Sequence, residues 1–186
     1  MSINFMTTKM LSLSDQVTEP ESMIRYGCVF CRTGREEAVA RSLEGQRQDL
    51  FATPVYQVKH KSVQGVKSTE VHILLPGYVY FRTKRNDPPD PMYVEDAIRV
   101  LEHSGRKWQL IGQEAWFAQW IFENHGVIGL SKACRDEEGK TKIIEGPLKT
   151  LEAHIIKYDK RSRGCQIELD FCRGKACMWL AFEWVA

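Results

Sequence analysis

The sequence predicts an α+β fold in two parts, a mixed α/β domain followed by a small β-barrel. Three observations carry this. A strand runs into a helix across a capping pattern near residue 33, turn-bounded strands alternate polar and apolar residues in the middle, and three strand-like stretches joined by glycine-containing turns close the chain.

The first strand starts at Tyr26. Thr33-Gly34-Arg35-Glu36 has the form of a capping box, with Thr33 serving a free backbone amide and Glu36 reaching back. Ala38, Val39, Ala40 and Leu43 then form an apolar stripe opposite Arg35, Glu37, Arg41 and Glu44, and Gly45 lies near the helix end. Val55, Gln57, Lys59 and Lys61 alternate with Tyr56, Val58 and His60, a strand with one polar face. After a loop at Gly65, Val71 to Leu74 returns. Pro76-Gly77 makes a turn or bulge before the strand Tyr78-Val79-Tyr80-Phe81. Three prolines in the stretch Asn86 to Pro91 exclude regular structure there.

Gln113 to His125 reads as a helix with Trp116, Phe117, Trp120, Ile121 and Asn124 on one side. Ser131 to Thr141 is polar and reads as a linker. Leu151–Tyr158, Cys165–Phe171 and Ala176–Trp184 are the last three strands, and their lengths fit a small barrel. The boundaries that follow are a disordered tail over 1–23, an α/β domain over 24–130, a linker over 131–144 and a β-barrel over 145–186. A barrel that small is near the lower limit for folding alone.

The 186 residues carry 26 Lys plus Arg against 24 Asp plus Glu. Charge is nearly balanced within each of the four segments as well, so any nucleic-acid contact must be local, not a global positive field. No apolar run reaches the ~20 residues of a membrane span. The tail lacks the cationic start and continuous apolar segment of a signal peptide, which predicts a cytoplasmic protein with reduced thiols. Cys28 and Cys31 have redox-motif spacing. On a strand, however, residues three apart face opposite ways, so a structural pair is expected in place of a redox site. Cys165, Cys172 and Cys177 lack a metal-ligand pattern, and neither a metal nor a cofactor is expected. No phosphate loop, nucleophile–base order or carboxylate pair points to catalysis.

Three segments in this order, "YGCVFCRTGREEAVARSLE", "LLPGYVYFR" and "EGPLKTLEAHIIKYDKRSRGCQIELDF", resemble the NusG family of transcription elongation factors. The stretch "SKACRDEEGKTKIIEGPLKTLEAHIIKYDKRSRG" is more similar to the specialised LoaP-like processive antiterminators than to the housekeeping member. Two features depart from the family pattern: Gly27 follows Tyr26 where an aromatic pair is usual, and Leu75 replaces a frequent Phe. The resemblance implies an NGN domain that sits on RNA polymerase, a flexible linker and a KOW barrel. The NGN domain would bridge the polymerase clamp helices and gate loop, favouring processive transcription and antitermination of selected operons. A general elongation or pausing role, coupling transcription to translation, is the alternative. KOW partners in the family are a ribosomal protein, a termination factor or RNA.

Carried onto this chain, the resemblance places polymerase binding at Pro76, Gly77, Tyr78 and Tyr80, where alternation sets both tyrosines on one face, as contact residues or as core. For the gate loop only His103-Ser104 is a loose match. Arg32, Thr33 and Arg35 match a region that touches non-template DNA in specialised paralogues. Cations and a hydroxyl beside free helix amides suit phosphate, and equally suit capping and solvation. Lys157, Lys160, Arg161 and Arg163 crowd one hairpin, with Lys149 a possible extension. They form an RNA contact or a solvated charged turn, with Asp159 among them.

Overall fold

A computed structural model describes residues 23–63, 66–102, 108–171 and 174–185. The expected tail up to residue 22, the His103-Ser104 pair and Cys172 lie outside them. The fold is mixed α+β, mostly sheet with few helices.

The first sheet is antiparallel. Its strands are β1 (Arg25–Cys31), β2 (Phe51–Pro54), β5 (Tyr78–Thr83) and β6 (Ala97–Val100), in the order β2-β5-β1-β6. Helix α1 (Glu36–Gln46) lays Val39, Ala40 and Leu43 on one face, against Val29, Cys31, Val79 and Phe81. Helix α2 (Gly112–Glu123) lays Phe117, Ala118, Trp120 and Ile121 in the core on the other face, with Cys28 and Tyr80. A central strand covered on both faces must be apolar along its whole length, and residues 27 to 31 of β1 are.

Gly27 has a packing reason. It pairs directly with Phe81 across β1 and β5, and the Phe81 ring lies where a Cβ would stand, within 2.6 Å of Cε1. The ring stacks on Trp108 at 5.5 Å. Glycine at residue 27 makes room for that ring.

A second sheet joins β3 (Tyr56–Val63), β4 (Val66–Ile73) and β7 (Val127–Ile128), with β7 parallel to β3. The third sheet has the order β10-β11-β12-β8-β9, from β8 (Ser131–Arg135), β9 (Thr141–Glu145), β10 (Ile155–Asp159), β11 (Gly164–Phe171) and β12 (Gly174–Trp184). A short helix, α3 (Pro147–Thr150), follows β9.

Three expectations are corrected. The segment 131–144 is not a linker. It forms the β8–β9 hairpin, whose Ala133 and Ile143 are fully buried, with β8 parallel to β12. Its polar turn closes through Asp136, whose carboxylate accepts the amides of Glu138 and Lys140. The capping box does not form either. The helix begins at Glu36 with Arg35 as its N-cap and no side-chain cap, because Glu36 turns inward to accept the Gly77 amide at 2.7 Å. Finally, the polar face of β3 is partly interior: Gln57 is 4% exposed, since that strand packs against the last sheet.

The two halves share one core. The cluster holding Tyr80 and the α2 side chains continues into Ile143, Leu148, Leu151, Ile167, Leu180 and Phe182. Trp116 of α2 packs on His154 at 5.6 Å, and the His60 ring bonds the Phe182 carbonyl at 3.3 Å.

Candidate protein and nucleic-acid interfaces

The Pro76-Gly77 turn is tied into β1 and α1. Gly77 adopts φ +84°, where L side chains are strained, and a Cβ there would sit 3.2 Å from the Cys31 carbonyl. Its carbonyl accepts the Cys31 amide at 2.8 Å, and its amide donates to Glu36. Burial opposes the Glu36 carboxylate charge, yet the backbone amides of Glu36, Gly77 and Gly34 together hold its pKa below the usual value.

Alternation along β5 is as expected, with Tyr78 and Tyr80 on the α2 side and Val79 and Phe81 on the α1 side. The two tyrosines differ in exposure. Tyr80 is fully buried, edge-on to Phe117 at 6.1 Å. Tyr78 is half-buried against Phe30 at 5.4 Å, and Pro76 is exposed. As placed, Tyr80 is a core residue, and a contact role for it requires its cover to move. Phe30, half-buried beside Tyr78, belongs to the accessible surface and was missed; its place on the Tyr78 face follows from β1 alternation.

Arg32 and Arg35 converge on Asp96, at 3.4 and 2.7 Å. Asp96 adopts φ +66°, and its carbonyl takes the Arg32 amide. Thr33 is exposed and caps nothing in the helix. The junction is therefore partly neutralised, and a phosphate there must compete with a carboxylate. The Asp96 carboxylate is largely covered, whereas the Arg32 and Arg35 side chains stay exposed and can still meet a phosphate.

The basic hairpin forms between β10 and β11, with Lys160 and Arg161 exposed at its turn and Lys157 exposed on β10. Arg163, at φ +55°, is half-buried. Asp159 accepts the amides of Arg161 and Ser162, and bonds from the Ser162 amide and hydroxyl hold its pKa below the usual carboxylate range. Lys160 reaches the Gly139 carbonyl at 3.3 Å, linking the two hairpin tips. Lys149 is taken by Glu152 at 2.6 Å and by the Ile143 carbonyl. Its ammonium is thus held between β9 and the turn that follows α3.

Cys28 and Cys31 point into different cores, so the sulfurs diverge as alternation requires. Burial first, then Glu36 and Asp96, push the Cys31 thiol up to about 11, which removes the thiolate a redox exchange needs. Among the described residues no group of three or more His, Cys, Asp or Glu is placed to hold a metal, and no helix is long and apolar enough to cross a membrane. A scan against protein-family models finds no match, and a search of the curated proteins finds none either.

Proposed function

We propose that this chain is a NusG-type transcription elongation factor that binds RNA polymerase and promotes processive antitermination of selected operons. One observation supports the reading: each of the three segments that resemble the family includes residues fixed by close backbone contacts. The first two interlock, Glu36 and Cys31 being bonded to Gly77. In the third, Gly146 adopts φ +95° with a Cβ position only 2.8 Å from the Ser131 Cα, and Leu148, fully buried, donates its amide to the Ser131 hydroxyl.

In this reading Phe30, Leu75, Pro76 and Tyr78 offer polymerase a half-open apolar surface, an amphipathic tyrosine beside a proline turn. The basic hairpin meets nascent RNA, and Arg32 and Arg35 meet the non-template strand. The role is binding, not catalysis, in the cytoplasm.

The test is transcription in vitro through an intrinsic terminator, with purified protein and with or without the native leader sequence. Readthrough that depends on the leader supports a targeted antiterminator. Altered pausing independent of the leader favours the general elongation factor, and no effect with either template refutes both. Co-purification with core polymerase, lost on Tyr78→Ala in a protein with native circular dichroism, checks the contact surface.

A further inference from the structure

β3 runs beside the β11–β12 hairpin, and a cleft of about 200 Å³ lies between them. Lys59 and His60 form one wall, and Ser162, Gly164 and Trp179 the other. Trp179 breaks the strand pattern. Its neighbours Met178 and Leu180 point inward and are buried, whereas the indole faces out at 40% exposure. An aromatic left in that position forgoes burial its neighbours gain and keeps one face free for a planar ligand.

Strand register puts a cation in line with it. Trp179 pairs with Gln166, and Gln166 with Lys157 on β10, so indole, amide and ammonium stand in one row on the outer face. Across the cleft the wall is held by a buried group. The Gln57 carboxamide, oriented to satisfy both neighbours, donates to the Trp179 carbonyl at 2.8 Å and accepts from Lys59 Nζ at 3.2 Å. Glu70, directly opposite Lys59 in the β3–β4 hairpin, is engaged by Lys61 and His72 at 2.6 Å each. Among the described residues Lys59 has no carboxylate partner. Asp159, the acid of the neighbouring turn, accepts two of that turn's own amides on Oδ1.

An open aromatic, a cation without a carboxylate partner and space for about one base form a stacking platform with a phosphate anchor. We propose that this cleft binds one nucleotide of single-stranded nucleic acid, its base stacked on Trp179 and its phosphate against Lys59. The chemistry is an unpaired base with a neighbouring phosphate, present in RNA and in unwound DNA alike. The site is distinct from the charged hairpin tip, and it stands whether or not the chain binds polymerase.

The experiment uses the full chain labelled with 5-fluorotryptophan, the Trp179 fluorine signal being assigned by its loss in Trp179→Phe. Oligo-uridine RNA, oligo-thymidine DNA and a short duplex are titrated separately. The single strands shift the Trp179 signal and the duplex does not; the larger shift identifies RNA or DNA as the preferred source. Trp179→Ala weakens single-strand binding by about tenfold, within the range for one stacked base. Lys59→Gln lowers the dependence of log affinity on log salt by about 0.7, the loss of one phosphate contact. A Trp179 signal that stays fixed at saturating oligonucleotide overturns the proposal, as does unchanged affinity in both variants. Should Trp179→Ala fail to fold, the fluorine signal of the parent chain and Lys59→Gln still decide. Polymerase co-purification is scored separately, so the two readings fail independently.

Discussion

Replacing Gly27 with alanine places a methyl group where the Phe81 ring lies. The added Cβ would stand within 2.6 Å of Phe81 Cε1, and the ring has little freedom, since it is fully buried and stacked on Trp108. Overpacking of this kind costs about 1–3 kcal/mol. Removing a glycine from a strand interior returns roughly 0.5–1 kcal/mol of backbone entropy. The net expectation is a loss of about 1–2 kcal/mol, or a fall in melting temperature of roughly 2–8 °C for a chain of this size. The double-mutant cycle with Phe81→Leu isolates the cause. Phe81→Leu alone loses the ring and its stacking, but in the double variant the methyl occupies space the ring vacated. The loss in the double variant should then fall short of the sum of the two single losses by about 1 kcal/mol or more. Urea unfolding followed by circular dichroism, with the slope checked for constancy, measures all four corners. A Gly27→Ala protein as stable as the parent, or strictly additive losses, would refute the account of why glycine stands here.

The two tyrosines of β5 should separate: Tyr80→Ala costs about 3–5 kcal/mol in urea unfolding because it empties a buried site, whereas Tyr78→Ala leaves the fold intact and acts on partner binding. Ser131→Ala strands the buried Leu148 amide and should cost about 1–3 kcal/mol, measured by thermal melting. At pH 8 a thiol reagent should modify exposed Cys177 quickly and Cys28, Cys31 and Cys165 only on unfolding. Burial raises the Cys165 thiol to about 12 and Cys31 to about 11, above their unfolded values near 9. Their contribution to stability is therefore fully present below pH 9 and falls as pH rises from 9 towards 11–12, which alkaline unfolding titrations would detect. A fragment of residues 145–186 should be unfolded by circular dichroism while 131–186 unfolds cooperatively, because only the longer one holds β8 and β9.

What the sequence made legible follows from burial. β1 and β5 are covered on both sides or pinned by turns, so alternation assigned Cys28 and Cys31, and Tyr78 and Val79, to their correct faces. Alternation does not say how deeply a face is covered, which is why Tyr80 and Tyr78 could not be told apart. The β8–β9 hairpin was hidden because each strand buries few side chains, leaving a polar sequence that reads as connection. Its signal was present in the Asp136-to-Gly139 turn, where Gly139 adopts φ +74°. Lys59 and Trp179 were readable as residues but not as a site. An indole on the polar side of Ala176–Trp184 is visible in the pattern, but its approach to β3 is a tertiary fact.

The position of β8 also limits how the two halves can move. Ile128 is the last residue of β7, paired in parallel with Gln57, and Ser131 is the first of β8, paired with Phe182. Only Gly129 and Leu130 lie between, and at about 3.3–3.6 Å per residue so short a connection cannot act as a flexible tether. For the halves to part, one of these strands must first leave its sheet. β7 is the weaker attachment, with two paired positions against three for β8, whose sheet also includes β9. Separation would also break the bonds of Gln57 to the Trp179 carbonyl and of His60 to the Phe182 carbonyl, bonds that water can replace at a net cost of about 1 kcal/mol each. The apolar core running from Tyr80 through α2 to Phe182 is the larger obstacle, since water offers it no substitute. A partner that opens the molecule must therefore cover apolar surface. Charge attraction to a nucleic acid alone does not suffice.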